Sequence, residues 1–499
     1  QLWLVTRGGQ PVETSPLQVQ QSPLWGLGKV IALEHPDIHC VRLDLAPAGD
    51  TNEIQVLFEE IQAAADKEDQ VAWRQGVRYV PRLSKASLGL QRGLEPQEIR
   101  QDSSYLITGG LGALGLQVAQ WLVAQGARHL VLTGRRGASE KAQPAITQLE
   151  QAGVQVLVVK ADVSRQEDVA NVLETIKSSM PPLRGIVHTA GVLDDGVLLQ
   201  QTWERFSRVM APKVEGAWNL HILTQELPLD FFVFFSSMAS LLGSAAQGNY
   251  VAANAFMDAL AHHRRALGLP GLSINWGPWA EVGMAAELGS RDQRRLAKQG
   301  LGSIASEDGL QVMEELLGQD MPQVGVLPIN WSILLQQFYQ ELVPPFFEAV
   351  TITAPPSSVA REPSLFKQLE EAPVTDRRAL LMSHVRTEIA RVLELSSPEK
   401  IQPRQRLFDL GIDSLMAVEL RNSLKSRLEH PLRSTLVFDY PTLEALVDYL
   451  IQEVLDLPSA DDVDKQFENS DSTLAELEQL SESEAEALLL KELEKMPQS

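Results

Sequence analysis

Short apolar segments alternate with helix-length stretches from residue 104 to about 275, and this alternation limits what the chain can fold into more than any other feature. Ser104–Thr108, His129–Thr133, Val154–Lys160, Gly185–His188, Phe231–Ser236 and Leu272–Trp276 read as strands, with a helical pattern over 113–125 after the first. Strands joined by helix-length connections run parallel, and a parallel sheet needs both faces covered, so the pattern predicts a doubly wound α/β fold. The first 100 residues repeat it weakly: Leu2–Thr6 echoes Leu106–Thr108, and Val41–Leu45 echoes the strand before Asp162. After Thr6, however, comes Arg7-Gly8-Gly9-Gln10-Pro11, where the proline and the missing third glycine leave no helix start for a pyrophosphate. Residues 1–100 therefore read as a degenerate, structural Rossmann-like half.

The strand Ser104–Thr108 runs into Gly109-Gly110-Leu111-Gly112-Ala113-Leu114-Gly115. A glycine loop that opens a helix lets backbone N–H groups approach a pyrophosphate, whose charge the helix start favours; a plain tight turn is the competing reading. The second strand ends Thr133-Gly134-Arg135-Arg136 where NAD binders place an acidic residue, so arginines there point to a 2′-phosphate and NADPH, unless they are solvated turn residues. Asp162-Val163 closes the third strand, with Asp162 either flanking an adenine or capping the next helix.

Tyr250 and Asn254 are four apart and share a helix face; Ser237 ends a strand 13 residues before Tyr250, and Lys213 lies 37 before it. These types suit carbonyl reduction: a phenol donates a proton, a hydroxyl stabilises the developing oxyanion, and an ammonium eases ionisation of a phenol whose free pKa is about 10. Singly, each also reads as an ordinary core, turn or surface residue.

Charge and composition narrow the classes. Lys and Arg total 43 against 65 Asp and Glu, a net charge of −22 that disfavours nucleic acid or an anionic membrane as partner. Cys40 alone permits no intrachain disulfide, which fits a reducing, cytoplasmic compartment, and no metal-ligand cluster stands out among the nine histidines. The opening QLWLVTRGGQ is no signal peptide and, lacking an initiator Met, reads as excised from something longer. Residues 103–127 carry no formal charge, yet their glycines and polar residues fit a soluble strand, loop and helix rather than a membrane span.

The 499 residues fit about three domains at ~150 residues each. After the α/β region at 101–345, Pro355, Pro356, Pro363 and Pro373 mark a linker over 346–375. Residues 376–455 have helical periodicity, with Leu381, Val385, Ile389 and Val392 on one face and Leu443, Leu446, Val447 and Leu450 on another. Within them Asp409-Leu410-Gly411-Ile412-Asp413-Ser414-Leu415 puts Ser414 at a helix start, which exposes its hydroxyl and favours an anion there, although Asp413 or Ser414 also reads as a simple N-cap. A second linker, 456–473, leads to a helical tail at 474–499 with Leu474, Leu477 and Leu480, then Ala485, Leu489, Leu493 and Met496, at three- and four-residue steps; residues 456–499 hold 13 acidic and 3 basic side chains.

From the glycine loop through Tyr250 the chain resembles the ketoreductase domain of modular type I polyketide synthases, a relative of the short-chain dehydrogenases/reductases. The likeness rests on TGGLGALG, His188-Thr189-Ala190-Gly191, Ala211-Pro212-Lys213, Ser236-Ser237, Gly248-Asn249-Tyr250-Val251-Ala252-Ala253-Asn254 and Asn275-Trp276-Gly277-Pro278-Trp279. Pro23-Leu24-Trp25-Gly26-Leu27-Gly28 and Ala32-Leu33-Glu34-His35-Pro36 resemble that family's structural subdomain. By matching position, the resemblance implies Tyr250 as proton donor, Ser237 as oxyanion partner, Lys213 as support for Tyr250 and the cofactor ribose, and Asn254 as fourth member, with Lys and Asn exchanged relative to ordinary short-chain reductases. It also implies Thr108, Ala190 and Gly191 beside the cofactor. Leu193-Asp194-Asp195 resembles the B-type marker for a 3R hydroxyl, and Leu242 stands where A-type enzymes have tryptophan; Ala245, where many B-type sequences have proline, leaves the α-carbon preference open.

LFDLGIDSLMAVELRN resembles acyl carrier proteins, which implies a 4′-phosphopantetheine arm on Ser414. The expected whole is two Rossmann-like subdomains, a four-helix carrier domain and a docking tail. It would reduce a 3-oxoacyl thioester with NADPH, alongside upstream ketosynthase and acyltransferase domains, a phosphopantetheinyl transferase, and a downstream synthase subunit met by the C-terminal helices. A vestigial carrier scaffold and a free-standing reductase of small ketones are the rival readings.

Overall fold

A mostly parallel sheet and an all-parallel one form, with six strands of the second where the alternation predicts them. The computed structural model describes residues 1–12, 17–49, 52–62, 68–86, 97–283, 296–298, 300–338, 343–351, 365–393, 395, 397–412, 414–433 and 435–455. The chain divides into two compact units, Gln1–Ser358 and Val359–Ser499. In the first, strands β1 (Leu2–Arg7), β2 (Cys40–Leu45), β3 (Gln70–Arg74) and β4 (Val77–Tyr79) form a sheet in that order, with helices α1 (Ser22–Glu34) and α2 (Glu53–Gln62). This half departs from an all-parallel sheet at its edge: β3 and β4 pair antiparallel. Gln75 (φ +51°) and Gly76 (φ +77°) make a two-residue turn whose positive dihedrals suit a hairpin.

The larger sheet contains β5 (Ser104–Thr108), β6 (His129–Gly134), β7 (Gln155–Lys160), β8 (Leu183–His188), β9 (Phe231–Ser237), β10 (Leu272–Trp276) and β11 (Gln323–Val326), in the order β11-β10-β9-β8-β5-β6-β7. Every neighbouring pair is parallel. Its helices are α3 (Ala113–Ala124), α4 (Gln143–Gln151), α5 (Gln166–Ser179), α6 (Trp203–Met210), α7 (Gly216–Leu223), α8 (Met238–Leu242), α9 (Gly248–Ala266) and α10 (Ser306–Leu317). Successive strand residues face opposite ways, so Tyr105 and Ile107 join Leu130, Leu132, Val233 and Phe235 in one core with α3 and α4. Leu106, Val131, Ile186, Phe232 and Phe234 pack in another with α5, α7 and α9. The strand order reverses between β5 and β8, which opens a crevice at the strands' carboxyl ends.

The linker expected over 346–375 is shorter than its prolines imply. Phe347 and Val350 are buried with Leu335 in the first unit, because apolar side chains there find an apolar cluster. In the second unit, helix α11 (Leu365–Glu371) buries Leu365 and Leu369, and α12 (Val374–Val392) starts before residue 376. The bundle continues with α13 (Ser414–Leu428), α14 (Leu436–Asp439) and α15 (Leu443–Tyr449). Both predicted faces, Leu381, Val385, Ile389 and Val392 and Leu443, Leu446, Val447 and Leu450, lie in its core.

Candidate active site

The loop after β5 packs backbone to backbone. Gly109 has φ +70°, and a Cβ there would lie 2.8 Å from the Ala190 nitrogen; at Gly110 it would lie 2.7 Å from the Ile107 oxygen, and at Gly115 2.6 Å from the Gly109 oxygen. Those three glycines are demanded by the turn itself. Gly112 is exposed and less constrained, its nearest neighbour being the Gly109 oxygen at 3.3 Å, and it opens α3 without a side-chain cap. An uncapped helix start behind an exposed glycine fits a pyrophosphate, whose oxygens accept from first-turn N–H groups. Leu114 is half-buried against the sheet core.

Thr108 and His188 tie the two loops of the crevice together. The Thr108 hydroxyl and His188 Nδ1 are 2.6 Å apart, and the Thr189 hydroxyl donates to the Thr108 carbonyl at 2.8 Å. Burial first, and the Lys213 charge second, push His188 down to about 3, so it stays neutral at physiological pH. Gly134 admits Leu111 close by, since a Cβ would stand 3.1 Å from its Cδ1. Arg135 and Arg136 are exposed in the turn beyond, and neither joins an ion pair among the described residues. Asp162 Oδ1 accepts from the Ser164 hydroxyl at 2.7 Å and its N–H at 3.1 Å. The cap of α5 is Arg165, so the helix-cap reading of Asp162 does not hold; its carboxylate closes a local turn instead. Val163 is buried beside Gly216.

Lys213, Tyr250, Asn254 and Ser237 come together at the sheet's centre. Pro212 has no N–H for the helix ladder, and the chain passes Lys213 through a π-helical turn, Ala211–Glu215, between α6 and α7. The lysine stem passes Gly191, where a Cβ would lie 2.9 Å from Cε. Its Nζ donates to the Phe235 carbonyl and the Asn254 Oδ1, each at 3.1 Å, and stands 5.3 Å from the Tyr250 ring centre. Burial pushes the ammonium down to about 7 against the opposing pull of Asp258. The Asn254 amide donates to the Tyr250 carbonyl at 2.8 Å, one helical turn back. Burial raises the Tyr250 phenol, opposed by hydrogen bonds with the Ser237 and Asn254 side chains. Ser237 ends β9 and caps α8, accepting from the Ala239 N–H at 3.2 Å. The cluster thus holds a proton-bearing phenol, a hydroxyl and a cation whose charge responds to pH near neutrality.

The loop after β8 carries exposed Leu193 and a tightly held Asp194. Arg205 Nε and Arg208 Nη1 donate to the Asp194 carboxylate at 2.7 and 2.9 Å, and Gln247 donates to Asp195 at 2.8 Å. Burial pushes the Asp195 carboxyl up. Asn249, beside Tyr250, donates to the Asp194 carbonyl at 2.9 Å. Sequence alone does not single out Arg205 or Arg208, and it places Asn249 only within the Tyr250 motif, because nothing in the linear spacing of Asp194 to residues 11, 14 and 55 positions away marks this contact. Leu242 packs against the Leu335, Phe347 and Val350 cluster.

In the second unit the turn Phe408–Leu410 ends at Gly411 (φ +96°), and Ser414 is the first residue of α13. The tail at 474–499 and the linker at 456–473 lie outside the described residues. Among the described residues no helix is long and apolar enough to cross a membrane, and no group of His, Cys, Asp and Glu is placed to hold a metal ion.

Comparison with known proteins identifies three regions of the chain. Residues 103–281 match the KR domain, 383–450 the phosphopantetheine attachment site, and 1–83 the Rossmann fold domain of the polyketide synthase extender module SpnB. The chain is 38% identical to polyketide synthase GfsA of Streptomyces halstedii over 92% of its own length and 6% of that protein. It is 41% identical to the mycoketide-CoA synthase of Mycobacterium tuberculosis over 70% of its length and 9% of that protein, so it spans a small part of these relatives. Among solved structures, A-type ketoreductases from a modular polyketide synthase align with TM-score 0.65 and 37% identity, covering 70% of this chain and 74% of that one. The first ketoreductase of the tylosin synthase aligns with TM-score 0.61 and 34% identity, covering 70% and 76%. The ketoreductase domain uses NADPH, and the attachment domain carries 4′-phosphopantetheine. With its nucleotide crevice, its Lys213, Ser237, Tyr250 and Asn254 cluster and the helical domain that follows, the chain belongs to the ketoreductase and carrier segments of modular type I polyketide synthases.

Proposed function

We propose that this chain reduces a 3-oxoacyl thioester, carried on a phosphopantetheine arm at Ser414, to the (3R)-hydroxyacyl thioester with NADPH. The observation that carries the reading is the buried contact of Lys213 with Asn254 beneath the Tyr250 ring. Bound NADPH supplies the hydride. The Tyr250 hydroxyl gives its proton to the oxygen of the former carbonyl, and the Ser237 hydroxyl donates a hydrogen bond to that oxygen as its charge develops. Lys213 favours the ionised phenol by its charge, and Asn254 holds Lys213 in place. Gly112 and the start of α3 receive the pyrophosphate, and the exposed Arg135 and Arg136 receive the 2′-phosphate that distinguishes NADPH.

The 3R outcome rests on Leu193, Asp194 and Asp195, with Leu242 where A-type enzymes have tryptophan. The ketosynthase and acyltransferase of a longer polypeptide would supply the substrate, a phosphopantetheinyl transferase the arm, and the 474–499 tail the contact with a downstream subunit. Incubation with NADPH and a 3-oxoacyl N-acetylcysteamine thioester, followed by chiral analysis, tests the reading. Tyr250→Phe is expected to lose about 10²–10⁴-fold in kcat, the range for a removed general acid. A 3S product overturns the stereochemical assignment alone; no turnover, even with substrate loaded on Ser414, overturns the reductase reading.

A further inference from the structure

Glu34 ends α1 in the degenerate half, yet its carboxylate serves the catalytic half. The residue is 3% exposed; Oε1 accepts the Ala246 N–H and Oε2 the Leu198 N–H, each at 2.7 Å. These N–H groups belong to two different loops, and both lead to Tyr250. The first carries Leu193, Asp194 and Asp195 and is tied to Asn249, the neighbour of Tyr250. The second, Gly243–Gln247, runs straight into α9, whose third residue is Tyr250. The loops are stitched again where the Gly196 N–H donates to the Ala246 carbonyl at 2.6 Å and Gln247 donates to Asp195 at 2.8 Å.

Ala246 is the strained point of this arrangement. Its φ of +64° is a left-handed conformation that a residue with a Cβ keeps only where its surroundings hold it. Glu34 holds the N–H of that residue, and Gly196 its carbonyl. Five residues earlier on α1, Lys29 donates to the Ser240 and Leu241 carbonyls at 2.6 and 3.0 Å, bracing the end of the helix that Ser237 opens. One helix of the degenerate half therefore fixes both loops and the serine helix.

The geometry points to Glu34 as a positioning residue for the reduction: its carboxylate sets the spacing between the two loops that frame the approach to Tyr250, and with it which face of the 3-oxo group is reduced. This rests on the reductase reading above. The test is Glu34→Gln, which keeps the size but sets one amide NH₂ against an N–H donor, so that one loop loses its acceptor. With a 3-oxoacyl N-acetylcysteamine thioester, KM is expected to rise about tenfold, the worth of one hydrogen bond to a charged group, while kcat changes less than about threefold. The enantiomer ratio of the product erodes, and the Kd for NADPH, read by cofactor fluorescence, stays as in the wild type.

Turnover with KM and enantiomer ratio unmoved overturns the proposal alone. So does a loss of NADPH affinity in E34Q that stays folded, because Glu34 would then act on the cofactor site rather than on the spacing of the two loops. If E34Q does not fold, E34Q/A246G is read in its place, because glycine adopts the left-handed turn without strain; failure of both to give NADPH-binding protein also overturns the proposal. Absence of turnover in the wild-type chain overturns the reductase reading, and this one with it.

Discussion

The two halves of the first unit both place a glycine-bearing turn after their first strand, and they finish it in opposite ways. After β1, the Gly9 and Gln10 N–H groups donate to the Asp44 carboxylate at 2.9 and 3.1 Å. Asp44 is fully buried, accepts the Thr6 hydroxyl at 2.6 Å and pairs with buried Arg74. The chain's own anion stands where a phosphate would. After β5, the loop meets α3 at Gly112 with no side-chain cap, and the buried cation nearby, Lys213, rests on the oxygens of Phe235 and Asn254 rather than on a contacting carboxylate. A half whose donors and charges close on themselves becomes a support, whereas one that leaves donors at a helix start and a cation beside a phenol becomes a site.

Asp44→Asn tests the first side of that contrast and carries the largest expected effect. It leaves the buried Arg74 guanidinium without its counter-charge and turns amide hydrogens toward the Gly9 and Gln10 N–H groups. Breaking a buried pair from one side costs about 3–5 kcal/mol, to be read from urea unfolding. Among molecules that remain folded, kcat and the Kd for NADPH should stay within about twofold of wild type, a tolerance of ~0.4 kcal/mol. A large fall in kcat at full folding would break the comparison, because Asp44 would then belong to the site.

A pair of glycine substitutions sharpens the second side. Gly115→Ala drives a Cβ to 2.6 Å from the Gly109 oxygen and the Gly110 Cα, backbone atoms with little room to move. Overpacking of this kind costs about 1–3 kcal/mol of stability, and NADPH binding falls with the distorted loop. Gly112→Ala meets only the 3.3 Å contact, so its melting temperature should hold while NADPH binds about tenfold more weakly, ~1.4 kcal/mol. Titration of cofactor fluorescence beside thermal unfolding separates the two. Equal behaviour of both variants would mean that all the glycines serve the turn alone.

How much of this was legible in the sequence follows from the range over which each feature is specified. Six strands of the larger sheet and both apolar faces of the helical bundle are local periodicities and appear as read, whereas the edge strand β11, four residues long and beyond the alternating region, is missed. Tyr250 and Asn254 share a helix face by spacing, and the glycine loop announces itself by its neighbours. The clamp on Asp194 does not: Arg205 and Arg208 reach it from a separate helix, and Glu34 meets Leu198 and Ala246 across 164 and 212 residues. Asp162 is read as a helix cap or an adenine neighbour because both begin with an acidic residue at a strand end, and only the position of Arg165 removes the first. The linker between the units is overestimated because prolines at 355, 356, 363 and 373 mask apolar residues on either side, Phe347 and Val350 before them and Leu365 and Leu369 among them, that pack into a core.

The smallest predicted effect turns on the pH response of the buried cation in the catalytic half. Arg74 is paired with the Asp44 carboxylate, while burial brings Lys213, which contacts no carboxylate, down to about 7, so Lys213 titrates in the working range. Its neighbours do not interfere: His188 is held near 3 and Tyr250 above its usual 10, so neither changes charge near neutrality. The ammonium is present below pH 7 and lost above it. The kcat/KM for NADPH, which reports groups of the free enzyme, should therefore fall as pH rises through about 7, by up to about tenfold per unit. Stability runs the other way. The pKa of Lys213 in the folded chain lies below its unfolded value of 10.5, so between about 7 and 10.5 the unfolded chain binds more protons and the folded state gains as pH rises. Lys213→Arg keeps its charge throughout this window, so the activity limb should vanish in that variant whatever its absolute rate. A limb that survives the substitution would belong to another group, and Lys213 would then be a support residue of the catalytic half, as Arg74 is of the degenerate one.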